Sequence, residues 1–201
     1  MRKAMTRRAL LPAIPALALA LALAGCVSLS AEPPERLLTL TAERTAPAGA
    51  TASGEPSSAL VVAMPETDQR LNVVRVPVQT SNSTLAYVKD AVWVEKPARL
   101  FQRLLSETLR AGGDRLVVIE GELGYSAATR LSGRLLEMGY DAPSGSVVVR
   151  YDAVLQTPDG QVRTRRFENR VSGVVPEAAF VGPALNEAAN AVAQEVAEWV
   201  G

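Results

Sequence analysis

From Ala9 to Ala22 the chain is apolar throughout, interrupted only by Pro12 and Pro15, and Arg2, Lys3, Arg7 and Arg8 stand ahead of this run without an acid among them. A basic start, a short apolar stretch and small residues behind it describe a secretory signal. The run is too short and too proline-broken for a membrane-spanning helix, which needs about 20 apolar residues. Residues 26–36 are then polar and carry Pro33 and Pro34, the pattern of a tether. After a short strand candidate, Leu37 to Thr41, residues 42–58 are rich in Ala, Ser, Thr, Gly and Pro with no large apolar side chain, which predicts a flexible insertion.

Foldable patterning begins at Ala59. Leu60 to Met64, closed by Pro65, predicts a buried strand, and Val73 to Val78 a second one in which Pro77 argues for an edge or an ending. Leu85 to Val88 and Ala91 to Val94 are two further short strand candidates. Pro97 opens a helix whose face is Leu100, Phe101, Leu104, Leu105, Thr108 and Leu109, and Gly112 with Gly113 stops it. Leu116 to Ile119 and Arg130 to Tyr140 read as strands. Val147, Val149, Tyr151, Ala153 and Leu155 alternate with more polar neighbours, and the turn sequence Thr157-Pro158-Asp159-Gly160 returns the chain along Gln161 to Val171. A final helix is expected from about Pro183, with Leu185, Ala188, Ala189, Val192, Val196, Trp199 and Val200 in one stripe.

Composition sharpens the N-terminal reading. The 201 residues contain a single cysteine, Cys26, placed directly behind the apolar run in Leu23-Ala24-Gly25-Cys26. This matches the bacterial lipobox, in which the thiol receives a diacylglyceryl group and cleavage leaves the cysteine first, open to further acylation with palmitate. Removing residues 1–25 leaves 176 residues, enough for one domain at 37–201. It also removes four of the 21 basic residues, so 17 face 21 acidic ones, a formal charge of −4. There is no basic stripe to suggest nucleic acid or electrostatic membrane docking. Membrane attachment comes from the acyl chains, and with the thiol occupied no disulfide can form even in an oxidising periplasm. Val27 follows the lipidated cysteine. An aspartate there favours inner-membrane retention in many Gram-negative bacteria, so valine predicts the outer membrane, with the body facing the periplasm.

Candidate chemistry is sparse. The chain has no histidine, the usual general base and soft metal ligand. It has no G-x-S-x-G and no G-x-x-x-x-G-K-[ST], so neither a nucleophile elbow nor a P-loop is expected. No catalytic residue, metal site or cofactor is predicted. Glu66 with Asp68 and Glu120 with Glu122 are the closest acid pairs, and beside Pro65 and Gly121 they read as solvated loops. Arg163, Arg165 and Arg166 offer a grip for a phosphate or, more commonly, a charged face that protects a sheet.

A linked series follows the lipobox: Leu37 to Leu40 (LLTL), Val61 to Pro65 (VVAMP), Val73 to Arg75 (VVR), Leu85 to Tyr87 (LAY) and Ala91 to Pro97 (AVWVEKP). In this series the chain resembles the ABC-type transport auxiliary lipoproteins, which include the lipoprotein of the paraquat-inducible Pqi system. Arg75, Tyr87, Trp93 and Pro97 carry the resemblance as structural or interface positions. It implies an α/β domain with a mixed sheet and packed helices, similar to the anticodon-binding-like arrangement at the N-terminus of TolB-type proteins. It also implies partnership with an ABC permease and ATPase and an MCE-type protein in intermembrane lipid transport, and leaves self-association into a homo-oligomer open. Two other classes stay open: a structural or assembly lipoprotein of the envelope, and a hydrolase that works without histidine. The lipobox reading predicts that Cys26→Ala abolishes acylation and leaves the precursor uncleaved. Metabolic labelling with a radiolabelled fatty acid checks this, and a mutant that still carried label would contradict it.

Overall fold

The computed structural model describes residues 36–113, 115–122 and 129–201. Leu23, Ala24, Gly25, Cys26 and Val27 lie outside them, as does the tether up to residue 35. Among the described residues the strands are β1 Leu60–Val62, β2 Glu66–Thr67, β3 Arg75–Ser81, β4 Thr84–Val92, β5 Val117–Ile119, β6 Thr129–Asp141, β7 Ser146–Gln156 and β8 Val162–Ser172. Two helices accompany them, α1 Pro97–Ala111 and α2 Ala178–Val200. All eight strands join one mixed sheet, so this is an α/β fold with helices packed on a sheet.

The sheet is organised by β6. One side of it pairs antiparallel with β7 from Arg130↔Gln156 to Asp141↔Ser146. The other side is shared in succession by three short parallel partners: β1 at residues 129–131, β2 at 134–135 and β3 at 140–141. β3 carries β4 on its far side, β1 carries β5, and β7 carries β8. The alternating positions Val147, Val149, Tyr151, Ala153 and Leu155 of β7 are all essentially buried against the helices. The polar positions between them turn to the opposite, open face, as expected of an antiparallel ribbon covered on one side. By contrast β1 is buried at every residue, and Val61 packs with Val118 in a small second cluster, as a parallel strand covered on both faces requires.

α1 spans the residues its pattern predicts, with Pro97 at its first position and Gly112 at its end. The predicted face is buried, and Phe101 meets Tyr151 at 5.2 Å between ring centroids. Three other elements differ from expectation. The two candidate strands around Lys89 are one strand, β4, because Asp90 takes φ 58° and bends the chain without ending it. β3 is an interior strand despite Pro77, which sits at a register shift in the β3–β4 pairing where no ladder bond has to be donated. α2 begins at Ala178, ahead of Pro183, which stands inside the helix and removes one i to i−4 bond. At the neighbouring Gly182 the N-terminal segment comes close, Leu38 Cδ2 lying 2.6 Å from where a Cβ would stand.

That segment is a strap. Leu38 makes a single parallel bridge to Trp93, donating its N–H to the Val92 carbonyl at 2.7 Å. The Thr41 N–H then donates to Asn186 Oδ1 at 2.8 Å, the Glu43 N–H to Asn190 Oδ1 at 2.9 Å, and the Ala46 N–H to Glu107 Oε1 at 2.9 Å. The start of 42–58 is thus fixed through its backbone amides. Asn190 is fully buried and also donates to the Thr41 and Asn186 carbonyls. Asn190→Ala should cost about 1–3 kcal/mol, since it orphans a part-buried N–H and carbonyl. Urea unfolding measures that loss. Amide hydrogen exchange should quicken at Glu43 more than at Thr41, which Asn186 still holds.

Candidate functional site

Two rows of side chains cross the open face of β6, β7 and β8. Arg134, Asp152 and Arg166 stand opposite one another in register, and so do Glu137, Arg150 and Glu168. The rows read plus-minus-plus and minus-plus-minus. Arg166 clasps Asp152 with two bonds of 2.6 and 2.7 Å, while Arg150 reaches both Glu137 at 3.2 Å and Glu168. Arg170 joins Glu168 at 2.7 Å to Asp141 at 3.6 Å, and Arg70 approaches Glu137 at 3.8 Å. The acids of β2 and its flank, Glu66 and Asp68, close on Arg134. Each exposed pair is worth about 0.2–1 kcal/mol, so the rows fix registry more than they add stability.

The electrostatics follow from this pairing. A hydrogen bond from Arg166 holds the Asp152 carboxyl below the usual carboxylate range, and one from Arg150 does the same for Glu168. Arg166 and Arg170 are pushed up by the same partners. These carboxylates are fixed counter-ions, poorly suited to carry protons near neutrality. On the covered face, burial pushes the Tyr151 hydroxyl up, and it donates to the Ser132 carbonyl at 2.9 Å.

Between the β3–β4 hairpin and β6 lies a small groove of about 110 Å³. Pro77, Leu85, Gly139 and Val148 supply its apolar lining, and Arg70, Glu137, Asp141 and Arg170 its charged one. Gly139 is required here, because a Cβ would come within 2.6 Å of the Pro77 carbonyl oxygen.

The sequence-predicted positions fall in separate places. Arg75 lies over the Tyr87 ring at 3.8 Å from its centroid, a cation–π contact across β3 and β4. Tyr87 is therefore half-buried beneath a guanidinium. Trp93 is 1% exposed, and its indole N–H has no partner among the described residues. Pro97 is buried at the start of α1. Arg163 and Arg165 share one face, as expected, but it is the face of Phe167 and the helices; Arg166 turns to the open side. Glu120 pairs with Arg130 and Glu122 with Arg110. No group of three or more His, Cys, Asp or Glu that could hold a metal occurs among the described residues. The charge rows were missed at the sequence level. Their only local trace is the period-two alternation of Arg150 and Asp152 with apolar residues.

One mixed sheet with a helix-covered face and a charge-paired face, strapped along its N-terminal edge, makes up the described body of this chain. The chain belongs to the ABC-type transport auxiliary lipoprotein component family, whose model matches residues 38–197. It is on that ground an envelope-associated, transport-linked lipoprotein. Among solved structures it is similar to protein XCC0632 from Xanthomonas campestris, with 17% identity and a TM-score of 0.68, covering 82% of this chain and 94% of that one. A crystal structure described only as an uncharacterized protein is similar at 14% identity and a TM-score of 0.63, covering 83% and 100%. At these identities the likeness shows the shared fold. No curated protein matches the chain.

The depressed carboxyls set a pH dependence. A group whose folded pKa lies below its unfolded value contributes stability above the unfolded value, about 4, and loses it as pH falls through the folded one. The urea midpoint should therefore drop below about pH 4, and the drop should be shallower in a variant with Asp152→Asn and Glu168→Gln. Midpoints measured from pH 7 down to about 2 provide the check. Identical acid limbs in the two proteins would contradict the assignment.

Proposed function

We propose that this chain is a lipid-anchored docking component of an MCE-type intermembrane lipid transporter, held at the periplasmic side of the outer membrane by Cys26. The observation that carries the reading is where the family domain lies relative to the lipobox. The match begins at residue 38, and residues 27–37 separate it from Cys26. Even fully extended, that stretch reaches about 40 Å. The body therefore works close to the membrane that holds its acyl chains, where a transporter spanning the periplasm would meet it. Val27 supports the outer membrane as that location.

Docking without catalysis fits the site. The Asp152 and Glu168 carboxyls are held down by arginines, and the acid pairs the sequence offered are each closed by an arginine. The permease and ATPase supply the energy, and the MCE protein the lipid path. Arg75, Tyr87, Trp93 and Pro97 serve as structural or interface positions within this scheme, Arg75 and Tyr87 being the accessible pair.

Crosslinking in intact cells tests the reading. The lipidated chain should capture an MCE-domain protein, and the Cys26→Ala form should lose that capture while still folding. Repeated failure to capture any transporter component, together with hydrolytic activity of the purified chain, would favour the histidine-independent hydrolase instead.

A further inference from the structure

Among the described residues strand β8 is a long, uncovered sheet edge. It pairs there with β7 alone, and the pairing runs from Ser146↔Ser172 to Gln156↔Val162 without a register shift. No backbone hydrogen bond outside that ladder involves residues 162–172 among the described residues. The bond from the Thr157 N–H to the Gln161 carbonyl, 3.0 Å, sets the alternation along the hairpin. The amides of Arg163, Arg165 and Phe167 turn towards β7, and those of Thr164, Arg166 and Glu168 turn outward. Residues 162–166 are all exposed, and Phe167 is the only buried residue of the strand.

Other edges of this sheet are guarded in the usual ways. β5 is three residues long, and β4 is bent at Asp90 and capped by the bridge to Leu38. β8 has no proline and no bulge. Its guard is positive charge, with Arg163, Arg165, Arg166 and Arg170 against Glu168 alone. Arg166 and Arg170 are neutralised on the open face by Asp152, Glu168 and Asp141. Arg163 and Arg165 have no carboxylate partner among the described residues. They lie against rings instead, 5.2 Å from the centroid of Trp199 and 4.8 Å from that of Phe167. A second copy pairing edge to edge through this stretch would set arginine against arginine, which disfavours it. A strand bringing acids is favoured for the same reason.

We infer that β8 is a docking edge for an extended, acidic segment of a partner protein, which adds as a further strand. Its carboxylates, two residues apart, meet Arg163 and Arg165 on one face while its backbone takes the outward amides of Thr164 and Arg166. Strand addition of this kind draws affinity from the main chain and selectivity from alternate side chains.

The full-length lipidated chain in detergent tests this by amide hydrogen exchange, read residue by residue. The probes are the end-blocked peptide Thr-Val-Glu-Val-Glu-Val-Thr, its counterpart with lysine for glutamate, and vesicles of phosphatidylglycerol. Exchange at Thr164 and Arg166 should slow about tenfold or more with the glutamate peptide and stay unchanged with the lysine one. The double substitution Arg163→Glu, Arg165→Glu should reverse that preference, with exchange in β7 unaltered as the control for folding. Should that variant misfold, the two peptides on the unsubstituted chain still decide. Equal slowing by both peptides, or none with the glutamate peptide at millimolar concentration, overturns the inference. So does slowing in the free chain that grows with protein concentration, which would mean a second copy. Vesicle binding that needs the two arginines, with no response to the glutamate peptide, would make the edge a lipid contact and overturn it as well.

Discussion

β6 meets β7 along its whole length while its other side is divided among β1, β2 and β3, and everything packed on the sheet inherits the register of that double engagement. Side chains alternate faces, so a slip of one residue would drive Leu131 and Leu135 into water and Arg130 and Arg134 under the helices. An irregularity between Leu135 and Glu137 then resets the alternation. Beyond it Met138 and Tyr140 point inward, and Glu137 turns out to face Arg150. Without that extra residue Glu137 would lie among core side chains, where an unpaired charge is prohibitive. Core and charge rows are thus two results of one bulge.

How much of this is legible in the sequence depends on the range over which each feature is specified. The helix Pro97–Ala111 and the β7–β8 hairpin carry their own boundaries in a proline, a glycine pair and a turn sequence, and both form where those signals stand. β4 does not announce itself, because Lys89 and Asp90 interrupt the apolar pattern at the point where the backbone enters the left-handed region. The strap is harder still. Its amides are held by Asn186 and Asn190, whose positions are 145 and 147 residues away in the chain. Nothing local distinguishes a buried asparagine in an alanine-rich helix from a solvated one. The charge rows likewise need the register of three strands before Asp152 can be matched with both Arg134 and Arg166.

With Cys26 the only cysteine, no disulfide can staple the chain to itself, and cohesion rests on packing and on a few long-range polar contacts. Phe101 against Tyr151 ties α1 to β7, and Phe167 against Trp199 ties β8 to the end of α2. The strap runs across both helices through Asn186, Asn190 and Glu107. Held by two helices, the strap is tied to the core at three further points beyond its single bridge at Leu38.

The size of the groove bears on where a lipid could travel. At about 110 Å³ it falls well below the roughly 300–1,000 Å³ of sites that enclose a drug-sized ligand. Its apolar lining of Pro77, Leu85, Gly139 and Val148 suits one inserted side chain, and the surrounding arginines are already matched by Glu137 and Asp141. An acyl chain entering there would have to separate charges that hold each other, without gaining an enclosing wall. The groove is therefore too small to enclose an acyl chain. Along β8 the body offers exposed strand backbone and two arginines without a carboxylate partner among the described residues, features suited to protein main chain and carboxylates.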